Sequence, residues 1–172
     1  MQETIIQRII NIFNFLTDIK FGKEILVFII SLLPILELRG GLLAASLLGL
    51  KAIPSYIISI IGNILPIPFI LLLINKIIDK CKNSKHKKLN KFANYLTNKV
   101  EKNKEQIEKY GFWGLVIFVG IPLPGTGAWT GSLIASVLNM DRKKSFIAIL
   151  LGVFMASIIM MIISFGLLKQ II

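Results

Sequence analysis

From residue 25 to residue 75 the only charged side chains are Glu37, Arg39 and Lys51, and from 111 to 140 there are none. One small soluble core cannot absorb apolar runs of this length. About 20 such residues in a row suffice to cross a bilayer. Charged residues make up 17% of the 172, below the roughly 25% of soluble domains, and they are segregated. Residues 76–110 hold 11 of the 20 Lys and Arg, against 4 acids. The expectation is an all-α integral membrane protein, a single membrane domain over 1–172 with one basic extramembrane segment. The net charge of +11 points to anionic lipid headgroups at 76–110 and not to nucleic acid, because a basic loop beside apolar spans faces the membrane surface.

Four segments follow from the pattern. Residues 1–22 read as an amphipathic interfacial helix, with Ile5, Ile9, Phe13 and Leu16 at helical spacing, Ile6, Ile10 and Ile12 beside them, and polar residues opposite. Residues 24–75 form a first repeat, 76–110 the basic segment and 112–168 a second repeat. Within 76–110 the residues Leu89, Phe92, Leu96 and Val100 share one face of a lysine-rich helix. Cys81 is the sole cysteine and His86 the sole histidine. Neither a disulfide nor a metal site is expected from them, and His86 reads as a solvated surface residue.

The repeat appears when the chain is slid against itself by 90 residues. Pro34 falls on Pro124, Gly41 on Gly131, Ser55 on Ser145 and Gly62 on Gly152. Phe28 with Phe118 and Leu33 with Leu123 extend the match. Each apolar segment is broken near its middle. Pro34, Gly40 and Gly41 mark the first break; Pro122, Pro124, Gly125, Gly127 and Gly131 mark the second. Proline removes a backbone donor and glycine weakens a helix. In hydrocarbon the freed groups must be met by protein or by a wet cavity. Half-segments of about ten residues reach about 15 Å as helix against about 30 Å of hydrocarbon. The fold expected is therefore two inverted repeats, each a re-entrant helical hairpin plus a transmembrane helix, with amphipathic interfacial helices. The lysine distribution obeys the positive-inside rule with either re-entrant or fully spanning segments; the breaks favour the re-entrant form.

Glu37 and Arg39 are the only charges inside an apolar segment, where a charge is costly and marks a pathway or a partner. Glu37, Arg39, Asn63, Thr126, Trp129 and Thr130 are the candidate substrate or proton pathway. No HExxH or G-x-S-x-G motif and no P-loop lysine is present, so neither an enzyme, a cofactor nor a metal is expected. Three readings stand: a small transporter exporting small molecules with proton coupling, a lipid or lipid-linked-phosphate flippase, and a membrane scaffold in which Glu37–Arg39 is structural. Small residues such as Gly131, Ala135 and Ser136 permit close helix contact and suit a homodimer. The Lys/Asn/Ile-rich composition fits a multi-pass protein of a bacterial inner or plasma membrane.

The runs Glu37-Leu38-Arg39-Gly40-Gly41 and Ile121-Pro122-Leu123-Pro124-Gly125-Thr126-Gly127-Ala128-Trp129-Thr130-Gly131 resemble the putative small multi-drug export protein family. That family looks distantly similar to the DedA (VTT-domain) superfamily. The resemblance implies two opposed re-entrant hairpins and transport or lipid translocation, with Glu37 matching the membrane-embedded acid and Pro122 and Pro124 the second hairpin. The chain departs from the DedA pattern at that hairpin, where it carries Gly, Thr and Trp in place of arginines.

Overall fold

A computed structural model describes residues 2–12, 19–84, 87–101 and 104–167. His86, Phe13 and Leu16 lie outside the described residues, so the readings that rest on them do too. Every regular element among the described residues is helical: α1 (Gln2–Ile12), α2 (Gly22–Leu32), α3 (Glu37–Leu47), α4 (Ala52–Ile64), α5 (Ile67–Lys82), α6 (Lys87–Glu101), α7 (Lys104–Gly120), α8 (Ala128–Val137) and α9 (Arg142–Met161), which runs into a π-helical turn, Ile162–Leu167. Two stretches, Ala52–Lys82 and Arg142–Gly166, are long and apolar enough to cross a membrane. Their exposed large residues form stripes at helical spacing: Ile53, Ile57, Ile61, Leu65 and Phe69 on one, Ile147, Leu151, Phe154 and Ile158 on the other. An exposed apolar stripe along a long helix is what a lipid-facing surface requires.

The chain divides into two compact units, Met1–Leu65 with Val153–Ile172, and Pro66–Gly152. In the first, α2, α3 and α4 pack on one another, and α1 lies against α3. That contact decides which face of α1 is buried. Ile6 and Ile10 are inside while Ile5 is 38% exposed, so the buried stripe is one residue on from the Ile5–Ile9 line expected from the periodicity. In the second unit α5, α6 and α7 surround α8. Among the described side chains of α6, Val100 of the expected face is buried, and so is Ala93, which shares that face, while Leu89 at its start is 43% exposed.

Three backbone singularities recur at the repeat spacing. Positive φ occurs at Phe21 and Gly111, at Glu37 and Gly127, and at Gly49 and Asn139. The last pair ends α3 and α8 in the same way. Gly49 N–H donates to Ser46 O at 3.1 Å and Leu50 N–H to Ala45 O at 3.0 Å; Asn139 N–H donates to Ser136 O at 3.1 Å and Met140 N–H to Ala135 O at 2.9 Å. These are Schellman closures, which need a left-handed residue after the helix.

The units differ between the first two singularities. In the first, α2 runs from Gly22 to Leu32 and the break is Leu33–Leu36; in the second, helix continues from Phe112 only to Gly120, and the break runs to Thr126. Pro122 is the cause, because the residue before a proline is pushed out of helical geometry. Two residues thus pass from helix to break, and total length is conserved. The helix register shifts with them. A Cβ at Gly62 would lie 2.8 Å from Phe28 O; a Cβ at Gly152 would lie 2.8 Å from Val116 O. Phe28 therefore corresponds in packing to Val116, and the Phe28–Phe118 coincidence in sequence is not an equivalence of position.

Candidate functional site

Glu37 opens α3. Its N–H donates to Leu33 O at 2.9 Å, and its φ is 53°, a left-handed conformation disfavoured for any residue with a Cβ. At the matching place in the second unit stands Gly127, φ 124°, which has no such penalty. Side chains two apart on a regular helix do not face each other. The left-handed backbone at Glu37 lifts that restriction, and Arg39 Nη2 lies 3.7 Å from Glu37 Oε2. Both are buried, at 6% and 3% side-chain exposure. The separation exceeds that of a tight charge-assisted hydrogen bond, about 2.8 Å. It is a buried ion pair at a longer separation.

Gly41 and Ala45 follow along α3, one turn apart on one face. A Cβ at Gly41 would overlap Ser31 Oγ and sit 2.9 Å from Ser59 Oγ. Helices α2, α3 and α4 therefore meet at backbone distance, and the groups that line the meeting are polar. Ser31, Ser55, Ser59 and Asn63 are all at most 1% exposed. Ser31 Oγ donates to Val27 O at 2.8 Å and Ser55 Oγ to Lys51 O at 2.8 Å. Ser59 Oγ and both amide atoms of Asn63 are buried without a hydrogen-bond partner. Ser55, Ser59 and Asn63 recur every four residues, one stripe along α4. Sequence reasoning singled out Asn63 and missed Ser59. The serine–serine–asparagine spacing inside an apolar run was the available signal.

Thr126 Oγ1 lies 2.8 Å from both Ile121 O and Leu123 O, so its hydroxyl serves carbonyls within the second break. Gly125, φ 90°, turns the chain within the break. Thr130 is buried on α8 and Trp129 half-buried. A Cβ at Gly131 would lie 2.6 Å from Val119 Cγ2 and 3.9 Å from Ile149 Cγ1. The structure thus groups Glu37, Arg39 and Asn63 in the first unit and Thr126, Trp129 and Thr130 in the second. An open groove of about 500 Å³ along α7, lined by Glu105, Lys109, Tyr110 and Gly114 among others, includes none of these candidates. Among the described residues no three His, Cys, Asp or Glu side chains gather as a metal site.

No curated protein and no solved structure matches the chain. The model of one family, described as putative small multi-drug export protein, matches residues 37–159. The match begins at the left-handed glutamate and ends within α9. Together with the two apolar helices, this makes the chain a membrane protein of the putative small multi-drug export protein family, to which it belongs.

Proposed function

We propose that the chain is a non-enzymatic, proton-coupled membrane exporter in which Glu37 carries the proton and Arg39 is its exchange partner. One observation carries the reading. Glu37 occupies a left-handed backbone position that costs a non-glycine residue about 1–2 kcal/mol, and the other break fills that place with glycine. Strain kept at a buried charged residue is the pattern of a functional site. When Glu37 takes up a proton its attraction for Arg39 falls, Arg39 turns to other acceptors, and the α2–α3 break is free to move against α4. Loss of the proton draws Arg39 back.

Helices α3 and α8, of 11 and 10 residues, reach about 16 Å, about half of the hydrocarbon layer. This supports re-entrant hairpins and, with one long apolar helix for each, an inverted pair of repeats. Lysine-rich α6 lies on anionic headgroups, and a second copy of the chain covers surface around the short hairpins. Cysteines introduced at positions 2, 90 and 170 in a Cys81→Ser background test the topology. Position 90 should label from the face opposite to the other two; labelling of all three from one face contradicts the inversion.

The functional test uses proteoliposomes loaded with a pH-sensitive dye. Wild-type protein should carry protons down an imposed pH gradient. Glu37→Gln should insert normally and lose about a hundredfold in rate, with Glu37→Asp between the two. Full flux with unchanged pH dependence in Glu37→Gln would overturn the proposal.

A further inference from the structure

In the first unit, Gly41 of α3 meets Ser59 of α4. The two helices are joined by the short turn 48–51 and run antiparallel. Four residues toward the break stand Glu37, at the start of α3, and Asn63, near the end of α4. One turn the other way lie Ala45 and Ser55. The seam is thus a ladder of three levels, and its upper two levels hold Glu37, Asn63 and Ser59.

Asn63 is 0% exposed, and neither Oδ1 nor Nδ2 has a partner among the described residues. Ser59 is likewise 0% exposed with an unpartnered Oγ. A primary amide can make four hydrogen bonds and a hydroxyl three, and buried polar atoms in proteins find partners as a rule. Leucine or alanine at these positions would pack the seam without any such demand, as Ile149 does at the level of Gly131. Ser59 and Asn63, one turn apart on α4 with unmet hydrogen-bonding capacity, match a small hydrogen-bonding molecule that both donates and accepts. Water does both, and typically makes about three bonds in such sites. Arg39 stands beside Glu37 at 3.7 Å, and its positive charge disfavours a metal cation at that level.

We infer that the α3–α4 seam of the first unit binds a short file of water molecules, held by Asn63 and Ser59, through which protons reach Glu37. This rests on the reading of Glu37 as the proton carrier and supplies its path. Asn63 is a positioning residue: it orients a water whose hydrogen is passed to the Glu37 carboxylate. The proton that arrives at the far water replaces the one delivered, so no charge accumulates along the file.

The test has two arms that fail independently. In the first, hydroxyl radicals are generated by X-rays from bound water in nanodisc-embedded protein, and thiol oxidation is read by mass spectrometry. The Ser59→Cys protein should be oxidised several times faster than the Ile149→Cys protein, both in a Cys81→Ser background. Equal, slow oxidation overturns the hydrated seam. Slowing of the Ser59→Cys oxidation by sodium relative to choline would assign the seam to a cation and overturn water as its occupant. In the second arm, dye-loaded proteoliposomes report proton flux. Asn63→Leu should cut the rate about tenfold, whereas Asn63→Ser, which keeps a polar group and leaves room for water, should stay near wild type. Undiminished flux in Asn63→Leu overturns the relay. If Glu37→Gln keeps full flux, the reading of Glu37 falls, while the oxidation comparison still decides whether the seam is wet.

Discussion

At one seam Gly41 meets Ser59; at the matching place in the other unit Gly131 meets Ile149. The same substitution of polar by apolar separates Glu37 from Gly127 and Arg39 from Trp129. Yet the two units share their left-handed turns, their Schellman closures and their close-packed glycines. A common backbone design therefore does not require a common interior. The shared features are steric and conformational, and they fix where helices stop and how near they approach. The interior chemistry is free to diverge on top of that, and in the first unit it carries a buried ion pair and, on one stripe of α4, Ser59 facing Gly41 and Asn63 one turn on. In the second unit Val119 and Ile149 line the seam at Gly131, although buried serine hydroxyls without a hydrogen-bond partner among the described residues, those of Ser136 and Ser145, occur there too.

The comparison can be broken most forcefully at the buried ion pair of the first unit, whose places in the second hold Gly127 and Trp129. Arg39→Ala leaves a carboxylate buried without its cation. The expected loss is about 3–5 kcal/mol, read as a lower melting temperature in detergent and less protein in the membrane. Trp129→Ala strands no charge and should cost less. A larger loss at Trp129 would mean that the second unit, not the first, holds the demanding interaction.

A smaller effect tests the shared half of the design. Gly62→Ala and Gly152→Ala each bring a Cβ to 2.8 Å from a backbone carbonyl, which cannot turn aside as a side chain can. Each should destabilise by about 1–3 kcal/mol, and by similar amounts. If one is tolerated and the other is not, the two seams are not built alike. Smaller again is the difference at the helix ends. Gly49→Ala places a Cβ at φ 69° and should cost about 1 kcal/mol, while Asn139→Gly relieves the same strain and should be neutral or slightly stabilising.

The least effect is expected outside both seams. Lys104 Nζ sits 2.6 Å from Glu101 Oε2. The hydrogen bond to Glu101, and then its charge, raise the Lys104 ammonium above its ordinary range. A group raised in the folded state contributes below its unfolded pKa and loses the contribution as pH climbs past it, here only in strongly alkaline solution. This pair is solvent-exposed and screened, so Glu101→Gln should leave the melting temperature unchanged from neutral to mildly alkaline pH.

Much of the frame was legible in the residues. The Pro34 and Pro122–Pro124 breaks, the apolar helices and the basic segment could be read because proline geometry and hydropathy act locally. So could the coincidence of Gly41 with Gly131 and of Gly62 with Gly152. The two-residue exchange between helix and break could not, since an alignment without gaps conceals a change that conserves length. The buried face of α1 was also hidden. Ile6 is inside because of what packs on it, and periodicity alone cannot choose between neighbouring stripes. At the candidate site Glu37 and Arg39 stood out by charge. The left-handed backbone of Glu37 did not, because glutamate gives no sign of it; only the glycine at 127 hinted at the requirement. Ser59 shows in the sequence only through its four-residue spacing from Ser55 and Asn63, and its meaning comes from facing Gly41.

The central claim is that Glu37 and Arg39 are kept for transport against the preference of the fold. The double variant Glu37→Gly, Arg39→Leu measures this most directly. It removes both buried charges together, which is often neutral or stabilising by about 1–4 kcal/mol, and it gives the left-handed position a glycine, as in the second unit. The account predicts a melting temperature in detergent equal to or above that of the wild type, with proton flux in proteoliposomes reduced to that of empty vesicles. A clearly lower melting temperature together with retained flux per inserted molecule would contradict it, and would make the pair a structural pin.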